Sequence, residues 1–408
     1  MMKKISLLLL VLFSLTTFAQ TNDSIIRKAK KLIAQKKYES AYNLLEKADP
    51  SNEKPDVVLL KEDILLKYYV TSIMHQMFAL KDLNKDEDIS DYRGTNGAYN
   101  IHVFPADSIL LNLLKKYPDN CKLNKGLGDY YFEVLLRYGG NWLKDEETLM
   151  QLTQTYFQKA VEGKCADYFA YYALGYIRLI QQKLKESIPY FRQSIKLNDQ
   201  YASAHYNLAY AYMFSRDLKN ALNHAKKSLK LYDAPEYKSD AARMTGQIYW
   251  EINDNANAIK YFETANQIDP GNYYNLRPLL ALYLETENPK TMETTKRFFD
   301  LDPENPTIYN DLEELFMNNN KLDTLIDFYK SQFQAYHNNM KVQGNLNFYL
   351  GRIFLNKDKK KAKIYFSKAR QIFENIFPKE HPVFNVIDKA IKECEKWFFN
   401  VKQNIIQR

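Results

Sequence analysis

Residues 170–203 read AYYALGYIRLIQQKLKESIPYFRQSIKLNDQYAS, and residues 204–237 read AHYNLAYAYMFSRDLKNALNHAKKSLKLYDAPEY. Laid over one another, these 34-residue blocks put Leu174-Gly175 on Leu208-Ala209, Ser187 on Ala221, Phe191 on Ala225 and Ser194 on Ser228. A fixed period of this length marks a chain built by stacking one supersecondary unit. A third copy carries Gly246, Tyr249, Ala258, Phe262, Ala265 and Pro270, and a fourth has Leu279-Leu280 with Tyr283 and closes at Asp302-Pro303. Looser copies follow at Leu312, Phe316, Leu325 and Tyr329, then at Leu350-Gly351, Phe354, Ala362, Phe366 and Ala369. Toward the N-terminus, Ala29, Leu32, Ala41, Leu45 and Ala48 make an opening copy, and Leu127-Gly128, Tyr131, Phe157 and Ala160 an expanded one.

The order of these residues, large, small, aromatic, then Ala, aromatic, Ala and a closing Pro, resembles the tetratricopeptide repeat, a helix-turn-helix unit. The resemblance is strong from Cys165 to Pro303, weaker from Asn305 to Pro378, and weakest from Pro55 to Gln158. Departures are Ser187 and Ser194 for Ala, Thr245 for a large residue and Lys296 for an aromatic. It implies an all-α, right-handed superhelical solenoid of about seven to nine helix pairs. Small residues at Gly175, Ala209, Gly246 and Gly351 would let paired helices approach, with Phe191, Tyr212, Tyr249, Phe262 and Phe366 filling the space between units.

Composition agrees with helices joined by large aromatic contacts. Glycine is scarce (12 of 408), while Tyr (32) and Phe (23) are abundant, which argues against turn-dense β folds and glycine-rich nucleotide loops. Hydrophobic content of 46% excludes a disordered chain. The formal charge is +8, and without Lys3 and Lys4 it is +6; spread over this length, it gives little support to a nucleic-acid or membrane partner.

Lys3 and Lys4 belong to an export leader. Met1–Gln20, MMKKISLLLLVLFSLTTFAQ, has two lysines, an apolar run from Ile5 to Phe13 and small residues at Thr17 and Ala19. The run is short for a membrane span, so a cleaved signal peptide over 1–19 is favoured over an uncleaved anchor. No cysteine follows it for lipid attachment, and the expected address is the periplasm or cell surface. The Ala-Gln ending and the Lys-, Asn- and Tyr-rich body resemble exported Bacteroidetes proteins.

Beyond the leader we divide the chain into degenerate repeats with inserted loops over 20–164, core repeats over 165–304, and further repeats with a capping helix over 305–408. Helix pairs are expected almost end to end, broken at Pro50 to Pro55, Pro118-Asp119-Asn120, Gly139-Gly140-Asn141, Asp233-Ala234-Pro235, Asp269-Pro270-Gly271 and Asp302 to Pro306. Two stretches interrupt the period, the polar loop Asn84 to Pro105 and Arg137 to Glu147, each a binding element or a disordered insertion. Residues 377–384, FPKEHPVF, resemble the longer-helix repeat of kinesin light chains. Val383, Ile387, Ile391, Cys394, Phe398 and Val401 then recur at helical spacing.

Nothing in this pattern reads as catalysis. The six histidines include no HExxH pair, no GxSxG elbow occurs, and Gly126-Leu127-Gly128 lies within a helical repeat rather than after a strand. No metal or cofactor is implied. Cys121 and Cys165 each precede the first helix of consecutive units, so a disulfide between them is open to an exported chain; Cys394 reads as a buried thiol.

In repeats of this family the first helices line the concave surface. The resemblance therefore implies a partner-binding groove at Tyr172, Tyr176, Tyr206, Tyr210, Phe214, Arg243, Trp250 and Arg277. Tyrosine offers rigid contact area with a hydroxyl handle and arginine clamps carboxylates, although the same tyrosines would also serve to pack neighbouring helices. The lysine and asparagine clamp of chaperone-binding repeats is not reproduced. The reading is a non-catalytic scaffold of the cell envelope that binds an extended peptide or helix of another protein. The alternative is a glycan or nutrient-binding component at the outer membrane, since starch-utilisation binding proteins carry such repeats.

Overall fold

The computed structural model describes residues 22–95 and 97–406, so the leader read at 1–19 lies outside the described residues. The chain divides into two compact units, one ending at Asp217 and one starting at Leu218.

In the first unit α1 (22–34) pairs with α2 (Tyr38–Ala48), and α3 (Pro55–Tyr68) is separated from α4 (Ala106–Lys116) by an insertion. The pairs α5 (Cys121–Tyr138) with α6 (Glu146–Glu162), and α7 (Tyr168–Ile180) with α8 (Leu184–Leu197), follow, and α9 (Ala202–Phe214) closes the unit. In the second unit α10 (Leu218–Leu231) precedes the pairs α11 (Pro235–Glu251) with α12 (Asn255–Ile268) and α13 (Tyr273–Glu285) with α14 (Thr291–Phe299). The pairs α15 (Pro306–Asn318) with α16 (Leu322–Ala335), and α17 (Met340–Leu355) with α18 (Lys359–Phe373), lead to α19 (Pro382–Ile406). Within each unit the expected stack of helix hairpins is present.

Local sequence explains most boundaries. Asn120 Oδ1 accepts the Lys122 N–H at 3.1 Å, Asp167 Oδ1 accepts those of Phe169 and Ala170, and Asn305 caps a helix whose first residue is Pro306. At six turns between consecutive helices the chain passes through one left-handed residue: Lys36, Gln182, Arg216, Asn253, Glu287 and Asn320 all have φ between 54° and 65°. After each, the next N–H donates to the carbonyl five residues back, as in Lys183 to Arg178, Asp254 to Tyr249 and Lys321 to Phe316 at 2.8–2.9 Å. None of these six positions is glycine, so the glycine shortage does not reduce the number of left-handed turns.

Glycine acts instead in the cores of the hairpins. A Cβ placed on Gly128, Gly175, Gly246 or Gly351 would sit 2.5–2.8 Å from the rings of Phe157, Phe191, Phe262 or Phe366 on the paired helix. Those four rings are fully buried, so the missing methyl is what admits them. In the second unit α19 packs on α17 and α18 through Phe384, Ile387 and Cys394. Burial pushes the Cys394 thiol up from its ordinary value.

One expectation fails. The reading of helix pairs almost end to end does not hold after Tyr69, because a three-stranded antiparallel sheet is inserted between α3 and α4. Its strands are β1 (Thr71–Ile73), β2 (Met77–Ala79) and β3 (Ile101–Val103), in the order β1-β2-β3. The polar stretch Asn84 to Pro105 thus contains a 3-10 turn at Ile89–Asp91 and the third strand. The β1–β2 turn has Met74 and His75 both left-handed, at φ 51°, a conformation usually signalled by Asn-Gly. Helix α5 and the loop after it stabilise that turn: Tyr130 donates its hydroxyl to the His75 carbonyl (2.9 Å), and Trp142 Nε1 donates to the Met74 carbonyl (2.7 Å). Cys121, at the start of α5, is paired with Cys165 before α7 as a disulfide, with Cα atoms 6.1 Å apart.

Candidate functional site

The first helices of successive hairpins in the first unit, α1, α3, α5 and α7, surround an open cavity of about 790 Å³. Its wall is amphipathic: Leu59 and Leu66 of α3, the rings of Tyr168, Phe169 and Tyr201, and a series of ionisable groups. Tyr168 and Tyr201 meet edge to face at 5.1 Å, and Phe169 lies 6.5 Å from Tyr201.

Neighbouring residues of α3 behave in opposite ways. Lys61 is buried with all three ammonium protons used, on Glu46 (2.7 Å), the Asp49 carbonyl (2.6 Å) and Asn52 Oδ1 (2.8 Å), and it ties α3 to α2. Glu62, only 3% exposed, lies over Gly126 of α5 on the cavity wall, and its buried Oε1 has no hydrogen-bond partner. Asp63 is paired with Lys67 at 2.5 Å. On α5, Lys125 bridges Asp129 (2.7 Å) and Asp167 (3.0 Å), while Asp129 Oδ1 is buried and unpartnered. Two lysines therefore serve Asp63, Asp129 and Asp167, and none is bonded to Glu62.

The protonation equilibria follow from this arrangement. Burial pushes the Glu62 carboxyl well above the carboxylate range, the Asp129 charge adds to that, and Lys125 only partly opposes it. Burial likewise raises Asp129 to about 6 against the pull of Lys125. Desolvation would depress Lys125, but Asp129 and Asp167 outweigh it and hold the ammonium above its usual range. Glu133, also on the cavity wall, is raised by burial but more strongly lowered by His75 and Arg137, so it stays below its ordinary value.

The residues read from sequence as a groove lie in both units. Tyr172 is 9% exposed, edge-on to Tyr201 at 4.9 Å, near Phe132, Phe169 and Tyr176, and its hydroxyl accepts from Asn207. Tyr176 is half-buried against Phe132, while Tyr206 and Tyr210 are half-buried on α9, with Tyr210 4.5 Å from the exposed ring of Phe214. In the second unit Arg243 pairs with Asp240 (2.7 Å), and Trp250 Nε1 donates to Glu285 (3.0 Å). Arg277 pairs with Asp311 (2.9 Å) and Glu314 (3.1 Å), so all three have acidic partners within their own unit. Sequence alone does not single out the cavity's Glu62, Lys125, Asp129 and Asp167, because Lys61-Glu62-Asp63 looks like a solvated helix face. The available signal was Lys125 and Asp129, four residues apart on one face. Among the described residues no group of three His, Cys, Asp or Glu is arranged to hold a metal ion, and no helix is long and apolar enough to cross a membrane.

The tetratricopeptide repeat family matches residues 170–201, 202–235 and 244–272. No curated protein matches the chain. Similar solved structures include a tetratricopeptide repeat protein from Parabacteroides merdae, 18% identical with a TM-score of 0.40, covering 65% of this chain and 99% of that one. The pilF protein of Pseudomonas aeruginosa is 16% identical with a TM-score of 0.40, covering 54% and 96%. MamA is 21% identical with a TM-score of 0.34, covering 40% and 86%.

Proposed function

We propose that this tetratricopeptide-repeat protein is a non-catalytic scaffold of the cell envelope, which holds an extended segment or helix of a partner protein against its first helices. The observation that supports it most is the open cavity of about 790 Å³, where four first helices in succession present charged and aromatic side chains. An extended segment suits such a wall, because rigid rings give contact area at low entropic cost and ionisable groups fix register. Tyr206, Tyr210 and Phe214 on α9 extend the aromatic surface in this reading, and Arg243, Trp250 and Arg277 serve the second unit. The leader-like sequence at 1–19 supports export to the periplasm or cell surface.

The test is capture of interacting proteins from the source envelope with the full chain and two double variants, Tyr168→Ala with Tyr201→Ala, and Tyr206→Ala with Tyr210→Ala. At least one variant should lose the partner while retaining helical circular dichroism. Wild-type capture by both would remove the first-helix surface as the binding site.

A further inference from the structure

We propose that the cavity between α1, α3, α5 and α7 is a subsite for a cationic side chain, lysine or arginine, of the bound segment, with Glu62 as its counter-charge. The inference rests on the scaffold reading and adds the chemistry of the partner.

Three observations converge on a cation. The Glu62 carboxyl is 3% exposed, lines the cavity and leaves Oε1 without a partner, although its neighbour Lys61 is fully bonded. A buried carboxyl oxygen with no hydrogen-bond partner is unsatisfied, and an ammonium or guanidinium supplies both the donor it lacks and the charge that favours its ionised form. The cavity also carries an excess of carboxylates over lysines, since Asp129 and Asp167 share Lys125 while Lys67 is taken by Asp63. Finally, Tyr168, Phe169 and Tyr201 put aromatic rings on the same wall, and aromatic faces attract cations and not anions.

The charged surroundings of Glu62 set how the pair would form. Asp56, Asp63 and Lys67 share α3 with it, Lys122, Lys125, Asp129 and Glu133 come from α5, Asp167 stands before α7, and Asp23 and Lys30 come from α1; Lys122 is paired with Asp56 and Lys67 with Asp63. Burial, followed by the charges of Asp129 and Asp63, favours the protonated Glu62 against the pull of Lys125. Entry of a permanent cation favours the carboxylate, so binding releases a proton from Glu62 to the buffer. An anionic segment would meet the carboxylate excess instead and be repelled.

The experiment is selection of a displayed random dodecapeptide library on the full chain and on its Glu62→Gln variant. The glutamine keeps the shape and removes the charge, and equal helical circular dichroism verifies its fold. Binders of the wild type should be enriched in Lys or Arg, and an enriched peptide should bind Glu62→Gln about thirtyfold more weakly or worse. Calorimetry of that peptide at pH 6.5 should give different heats in phosphate and Tris for the wild type, from the released proton, and a smaller difference for Glu62→Gln. Enrichment in acidic or uncharged residues, or equal affinity for the variant, overturns the cation subsite and leaves the scaffold reading standing. Recovery of no enriched sequence at all overturns the scaffold reading along with it.

Discussion

The hairpin α7–α8 and the inserted sheet between α3 and α4 belong to the same unit and both bury aromatic rings, yet they are held in different ways. In the hairpin the decisive contact, the Phe191 ring against Gly175, joins residues 16 positions apart in the chain. In the sheet, Gln76 reaches Tyr130 across 54 positions, the His75 carbonyl reaches the same hydroxyl across 55, and Met74 reaches Trp142 across 68. A local contact repeats whenever its short pattern repeats. A remote one exists once, and only after the intervening helices have packed.

Substitutions can break this contrast. The largest effect is expected for Phe191→Ala, which empties a fully buried ring site and should cost about 3–5 kcal/mol in urea unfolding. A loss under 1 kcal/mol would mean that the hairpin does not depend on its Gly–Phe contact. Tyr130→Phe keeps the ring but leaves the His75 carbonyl without its donor, at a cost of about 1–3 kcal/mol. Amide exchange should then quicken in Thr71–Ala79 and stay unchanged in α7–α8; equal acceleration in both would show that the insert is not held separately. The smallest effect is expected for Gln182→Gly, which places glycine at a left-handed turn (φ 59°) and should raise the unfolding midpoint, by up to about 1 kcal/mol in stability. A lower midpoint would mean that the Gln182 side chain contributes more than its backbone strain costs.

The same contrast separates what was legible from what was not. The helix pairs, their Asn and Pro boundaries at Asn120 and Asn305-Pro306, and the small-to-aromatic contacts at Gly175, Gly246 and Gly351 follow from patterns within one repeat. The β1–β2 turn was not legible, because Met74-His75 carries no turn signal and its conformation depends on α5 and the loop after it. The candidate site was legible only as a type of surface. Sequence pointed to the first helices and to tyrosines, but Arg277, read as a clamp for a partner, lies against Asp311 and Glu314 of its own unit.

The sequence by itself therefore determined the repeat, its helix hairpins and the glycines that admit their rings, since each depends on residues a turn or a hairpin apart. Only the tertiary structure decided that Lys61 is satisfied and Glu62 is not. Adjacent residues on a helix point in different directions, and the free energy of a buried charge depends on what the neighbouring helices bring to it.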